Sequence, residues 1–348
     1  MSPTAPDAPR ASYLTGVMAL KQQQNRDAIA AFQSAIQQAE ANGNATEVRE
    51  LAYMALARLA YEVGQFDAAI FYYRKIPATS PRHPRAMFEQ TWAYFLKQDW
   101  PRTLGALEAL HSPFYDKFFY PELFVVEAAA YLNTCNLARA EDALAVFTER
   151  NAAMQTRVGR FVADVTSPET YWTSLYNYYQ LQGTSEAVQL PIEAVRYVLQ
   201  DAEYQAKRKL IDRLTAEANQ LQSTVSLLGT FATVNGQALE LDIRSTTVDG
   251  GLKVAQLLRE FDGELTDWNV KSQEVGIEVQ TEQLNVTRSA LEGQRASATK
   301  NDTTFVLAQD WLLWPFEDEF WSDEVDYYRG NPGDFRDENT GLCATSEK

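Results

Sequence analysis

The sequence predicts an all-α protein, and three observations carry that reading. A helical-hairpin pattern recurs four times within the first 150 residues. A seam at alternating spacings of four and three runs over ten positions, eight of them apolar, from Val254 to Val286. Proline, the residue least tolerated inside a helix, is absent between Pro191 and Pro315. The chain has 348 residues, 45% of them hydrophobic and 12% aromatic, enough for one large or two modest domains.

The elements follow in order. Residues 1–8, with Pro3 and Pro6, have neither a basic stretch nor an apolar run. They read as a flexible lead-in and not as a signal peptide. In residues 9–165 a small residue recurs at Gly16, Ala57, Thr91 and Ala128. Each is followed twelve positions later by a second, at Ala28, Ala69, Thr103 and Ala140. Small residues at that separation let two antiparallel helices approach closely. Bulky neighbours such as Phe32 and Tyr73 would fill the space toward the next pair. Breaks are expected at Asn42–Asn44, Pro77–Pro84, His111–Pro113 and Tyr120–Pro121.

This pattern resembles the tetratricopeptide repeat (TPR), which carries small residues at its eighth and twentieth positions and has a period of 34. The step from Ala57 to Thr91 is 34 residues; the other two are 41 and 37, which places insertions between hairpins. The resemblance implies a superhelix of four hairpins that must stack to bury their apolar faces. It also implies a concave groove lined by the first helix of each pair. Carried onto this chain, the groove holds Arg10, Tyr13 and Val17, then Met54, Arg58, Tyr61 and Glu62. Next come Arg85, Phe88, Trp92 and Phe95, then Glu122, Val125, Ala129 and Leu132. Arginines among aromatics suit a partner peptide or helix with apolar anchors and acids. The alternative is that Phe88, Trp92 and Phe95 pack against the next element.

Residues 166–190 are transitional. Ser167-Pro168-Glu169 has the form of a helix start, with Ser as N-cap and Pro at the first helical position. Gly183-Thr184-Ser185 is the expected end of that helix. Residues 191–309 then predict an antiparallel coiled-coil hairpin. Its arms are 191–248 and 252–309, and its turn is Asp249-Gly250-Gly251. Val254, Leu258, Phe261, Leu265, Trp268, Ser272, Val275, Val279, Glu282 and Val286 form its seam. Leu239–Ile243 and Val275–Val279 alternate like strands, so a β-containing insertion is the competing reading.

Residues 310–348 form an aromatic and acidic tail. Trp311, Trp314 and Trp321 are three of the seven tryptophans. Seven acids and no Lys or Arg fall between Asp310 and Tyr328. An aromatic strip of this kind is expected to dock, either on the chain's own repeats or on another protein. The two cysteines, Cys135 and Cys343, are either joined, tying the tail to the repeats in an oxidising compartment, or unrelated thiols.

Composition excludes several function classes. A net charge of −16 argues against unaided binding to nucleic acid or to anionic membrane, and no direct membrane insertion is expected. The only histidines, His83 and His111, lie beside prolines between repeats, poorly placed for a catalytic constellation. There is no phosphate-cradling glycine loop and no Cys/His pairing at metal spacing. The acidic clusters at 317–319, 323–324 and 334–338 lack the spaced ligands and central glycine of a calcium loop. A non-enzymatic interaction protein without cofactor is expected. The competing reading is a structural subunit that oligomerises through its coiled coil into a ring or filament.

Three phrases carry a further resemblance. They are Pro121–Cys135, the Leu190-Pro191…Val195…Leu199…Asp201 stretch, and Trp314–Tyr328 followed by a late cysteine. Together they look like the cell-envelope TPR proteins of myxobacteria and related predatory bacteria, including those tied to gliding motility. That resemblance implies an exported, periplasmic scaffold in an envelope complex and favours helix across 191–309. The absence of a signal peptide from the chain departs from it and keeps a cytoplasmic location as the alternative.

Overall fold

The computed structural model describes residues 5–43, 45–115, 118, 120–180, 190–291, 335, 336 and 343. Among these the protein is all-α, with no strand. The helices are α1 (Ala8–Lys21), α2 (Asn25–Asn42), α3 (Thr46–Glu62), α4 (Phe66–Tyr73), α5 (His83–Leu96), α6 (Trp100–His111), α7 (Glu122–Asn133), α8 (Leu137–Asp164), α9 (Pro168–Gln180), α10 (Ile192–Gln200), α11 (Ala202–Ser223), α12 (Val225–Leu228) and α13 (Thr230–Leu291). The chain divides into two compact units. One comprises residues 1–116, 126–140 and 279–348, the other 117–125 and 141–278.

In the first unit each helix of α1–α6 packs on its sequence neighbour. The expected breaks fall between helices. Gly43, with φ +67°, ends α2, and Pro84 and Pro101 sit in the first turns of α5 and α6. Asp99 caps α6 by accepting from the backbone N–H of Arg102. The crossings are as close as the small residues require: Ala28, Ala57, Ala69, Ala128 and Ala140 are all fully buried. One detail differs from expectation. Phe32 does not fill space beyond Gly16 but lies directly on it, and a Cβ at residue 16 would come within 2.5 Å of the Phe32 ring. The core then divides into a cluster around Phe32, Leu56 and Leu59 and another around Met54, Tyr73 and Ile76.

The four hairpins share one turn. Gln23, Gly64, Gln98 and Cys135 all have φ between +58° and +74°. The next N–H in each case, from Gln24, Gln65, Asp99 and Asn136, donates to a carbonyl five residues back, on Ala19, Ala60, Tyr94 and Tyr131. The left-handed residue itself donates three residues back. This pair of bonds is the Schellman arrangement, which satisfies carbonyls left unpaired at the end of a helix. Only Gly64 advertises it in sequence.

The second unit is organised around α13. As Ser167-Pro168 predicts, α9 starts there, with Ser167 Oγ accepting from the Thr170 N–H at 3.2 Å. The expected end of α9 at Gly183 lies outside the described residues. The core joins Met154, Val158 and Phe161 of α8 to Trp172 and Leu175 of α9. It continues through Val195 and Val198 of α10 and Tyr204 of α11 to Val254, Leu258, Phe261 and Leu265 of α13. Burying each large aliphatic side chain contributes about 1.5–3 kcal/mol.

Two expectations for residues 191–309 are corrected. The expected turn at Asp249–Gly251 lies in the interior of α13, and residues 292–309 of the expected second arm lie outside the described residues. The reversal is at Gly229, with φ +53° and ψ −129°, a conformation open to glycine and little else. Leu221 of α11 meets Gly236 of α13, and Lys253 pairs with Glu203 at 3.4 Å. Both pairs are centred on Gly229, so α11 and α13 run antiparallel on either side of it. The alternating segments at 239–243 and 275–279 are helical, which removes the β insertion there.

The seam itself is placed as expected. All ten of its positions are buried or half-buried. What differs is the partner. Asn151 of α8 donates to the Leu265 carbonyl at 3.0 Å, Gln155 to Thr266 Oγ1 at 3.0 Å, and Leu144 lies against Gly276. Across 265–276 α13 therefore packs against α8 of the preceding segment, while the Leu221–Gly236 and Lys253–Glu203 pairs set α11 against its earlier part.

Gly250 and Gly251 serve close approach. A Cβ at 250 would overlap the Trp172 ring, and one at 251 would overlap the backbone carbonyl of Pro168. The start of α9 crosses α13 where neither residue has a side chain.

Candidate functional site

Two of the side chains expected to line a groove, Arg58 and Arg85, meet at a residue not singled out in sequence, Glu89 on α5. Arg58 of α3 donates to both carboxylate oxygens, Nε to Oε2 at 2.8 Å and Nη2 to Oε1 at 2.7 Å. Arg85, one turn earlier on α5, donates from Nε to Oε1 at 2.6 Å. The Tyr73 hydroxyl of α4 adds a fourth bond at 3.1 Å. Three helices from two successive hairpins are thus joined at one carboxylate.

The electrostatics follow from burial and these bonds. The Glu89 side chain is 12% exposed, whereas Arg58 and Arg85 are 56% and 53% exposed. Burial alone would raise the Glu89 pKa. Hydrogen bonds and charge from Arg58 and Arg85 outweigh it and hold the carboxyl below its usual range. The hydrogen bonds that Arg58 donates to Glu89 raise the Arg58 pKa, and burial raises that of Tyr73.

Because Glu89 is more acidic in the folded chain than in the unfolded one, its contribution is complete above about pH 5 and is lost as pH falls through the depressed folded value. Glu89→Gln is expected to cost about 1–2 kcal/mol at pH 7, since the arginines it abandons can still reach water. Urea denaturation at pH 7 and pH 3 checks this. The gap between wild type and variant should narrow at the lower pH; an equal gap at both would show that the ionised carboxylate is not what matters.

The aromatic residues divide. Phe88 is 4% exposed and belongs to the interior, with Arg85 across its ring at 5.5 Å, which corrects its assignment as a groove residue. Trp92 and Phe95 are half-buried and edge-to-face at 5.9 Å, and Phe95 continues to Trp100 at 5.4 Å. Tyr61 is half-buried against Phe66. Helical spacing does not separate Phe88 from Trp92, which lie four residues apart on one face. Glu89 was findable in principle: Arg85 and Glu89 are four apart, and aligning the repeats at 34 residues brings Arg58 beside the same turn of the next hairpin.

Both histidines have partners. His83 Nδ1 lies 3.1 Å from the Ile76 carbonyl, and His111 Nε2 lies 3.0 Å from Glu127. Among the described residues no group of three or more His, Cys, Asp or Glu side chains is placed to hold a metal.

The cysteines are joined. Cys135 and Cys343 form a disulfide with Cα atoms 5.3 Å apart, across 208 residues of sequence. The bonded cysteine on the hairpin side is the left-handed residue of the fourth turn. Beside it Phe335 N–H donates to the Thr134 carbonyl at 3.2 Å, and Arg336 and Cys343 form an isolated antiparallel bridge. Trp311, Trp314 and Trp321 lie outside the described residues.

Comparison with protein-family models, with curated proteins and with solved structures found no match.

Proposed function

We propose that this chain is a non-enzymatic scaffold of TPR type that binds a partner peptide or helix in a bacterial cell-envelope complex. The observation that carries the reading is the composite face on α3 and α5. Arg58 and Arg85 stand half-exposed around one buried carboxylate, with Tyr61, Trp92 and Phe95 partly open beside them. Two guanidiniums share one acid, so the cluster keeps a positive excess within a chain of net charge −16. Aromatic edges next to arginine suit an acidic partner segment with apolar anchors. The repeated left-handed turn at 23, 64, 98 and 135 and the buried small residues at each crossing support the TPR reading. The disulfide supports an oxidising compartment and so a periplasmic location.

A second reading, a subunit that self-assembles through α13, rests on Val270, Ile277 and Leu284. They are exposed and spaced by seven along one helix face.

One experiment separates the two. Crosslinking in the native envelope, followed by recovery of the chain, is compared for wild type and Arg58→Ala/Trp92→Ala. The scaffold reading expects a defined set of partners that is lost from the variant while its helical content is unchanged. Partners that persist in the variant would sink the groove. Recovery of self-crosslinks on α13 alone would favour the assembling subunit.

A further inference from the structure

Between Glu217 and Glu240 lie 22 residues without a single Asp, Glu, Lys or Arg, in a chain that is 22% charged. They are not scattered over the surface. They form the end of α11, all of α12, the reversal at Gly229 and the start of α13, which together make the apex of the hairpin. Leu227 is 85% exposed, Phe231 61% and Val234 64%, with Leu228 beside them. The reversal at Gly229 lies among these exposed residues, at the end of the hairpin.

Four polar side chains around this apex are bonded to their own helix backbone. Ser223 Oγ donates to the Gln220 carbonyl at 2.7 Å, and Thr224 Oγ1 to Leu221 at 2.9 Å. Thr233 Oγ1 reaches the Gly229 carbonyl at 3.4 Å, and Asn235 Nδ2 the Phe231 carbonyl at 2.9 Å. Their donors are bonded within the helix, the device by which Ser, Thr and Asn lower their cost in an apolar medium.

We infer that the apex of the α11–α13 hairpin inserts shallowly into the interface of an electrically neutral lipid bilayer. Three arguments select lipid over a protein partner. The apolar tip offers on the order of 400 Å², about half of what each side of a standard protein interface contributes. The tip is a chain reversal with Leu227, Phe231 and Val234 exposed, and a bilayer receives such a tip without a matching groove. No charged residue falls between Glu217 and Glu240 to fix the register of a specific partner, whereas insertion by about 5–10 Å requires only apolar side chains ringed by uncharged ones. The net charge of −16, which sets the chain as a whole against anionic lipid, is silent at this place. No helix among the described residues is long and apolar enough to cross a membrane, so the contact is with the surface layer.

The test uses the full chain with its disulfide intact. Flotation with phosphatidylcholine vesicles is expected to carry the wild type. It should carry at least tenfold less of Leu227→Glu/Phe231→Glu, whose exposed positions leave helical content unchanged. Phe231→Leu should float like the wild type. Replacing a third of the lipid by phosphatidylglycerol should weaken flotation by repelling the acidic body. Amide exchange should show new protection at 225–235 only when vesicles are added. Absence of wild-type flotation, flotation that survives the double substitution, or protection mapping elsewhere would each overturn the proposal. Protection of the apex that grows with protein concentration and ignores vesicles would also overturn it, in favour of contact between copies of the chain.

Discussion

Replacing both cysteines by serine is expected to lower the stability of the fold by about 3–5 kcal/mol. The bond between Cys135 and Cys343 closes 208 residues. In the chain-entropy account, a crosslink restricts the unfolded ensemble more as the loop it closes grows, and a loop of this length is worth about 5 kcal/mol. Domains are commonly stable by only about 5–15 kcal/mol in total, so the bond would be a large share. Cys135 also occupies the left-handed position of the fourth hairpin turn, with φ +58°. A side chain there costs roughly 1–2 kcal/mol that glycine does not incur. Two double variants therefore separate the effects. Cys135→Ser/Cys343→Ser loses the bond and keeps the turn penalty. Cys135→Gly/Cys343→Ser loses the bond and relieves the penalty, and it should recover about 1 kcal/mol. Guanidinium midpoints under non-reducing conditions measure both. A serine pair as stable as the wild type would mean that the tail's covalent tie adds nothing to the fold.

That bond also shows how far the sequence could be read. Two cysteines at 135 and 343 are compatible with a bridge or with unrelated thiols, and only their separation in space decides. The hairpins were more legible because close packing demands small residues at fixed spacing, and Ala57 and Ala69 cannot be replaced by larger ones without parting the helices. The turns between the helices were not legible. Gln23 and Gln98 adopt the same left-handed conformation as Gly64, held by the hydrogen bonds of the turn and not by their own preference. The seam from Val254 to Val286 showed which face of α13 is buried but not what buries it. Periodicity belongs to one helix, and the identity of its neighbour depends on where the chain reverses. Arg58 and Arg85 were singled out by type, yet the carboxylate that joins them was not. An acid among arginines on a helix face reads as a solvated ion pair until the next hairpin is placed over it.

The glycines of α13 were misread for a reason that makes them the sharpest test of the second unit. Adjacent glycines mark a turn in one context and a close approach in another. Gly250 and Gly251 lie in the helix without positive φ, under Trp172 and Pro168. Gly251→Ala would press a methyl group into the Pro168 carbonyl, backbone that the Ser167 cap holds in place. Overpacking of this kind costs about 1–3 kcal/mol or more where the neighbour cannot yield. It is offset only by the ~1 kcal/mol that alanine gains over glycine inside a helix. A net loss of about 2 kcal/mol is expected, with amide protection lost first in α9. Gly263→Ala is the matched control. It lies on the same helix, has nothing within 4 Å of the new Cβ, and should gain up to about 1 kcal/mol. The same substitution twelve residues apart should thus move the denaturation midpoint in opposite directions. If Gly251→Ala stabilises the chain as Gly263→Ala does, α9 does not cross α13 at this point. The arrangement of the second unit's core around Trp172 would then have to be redrawn.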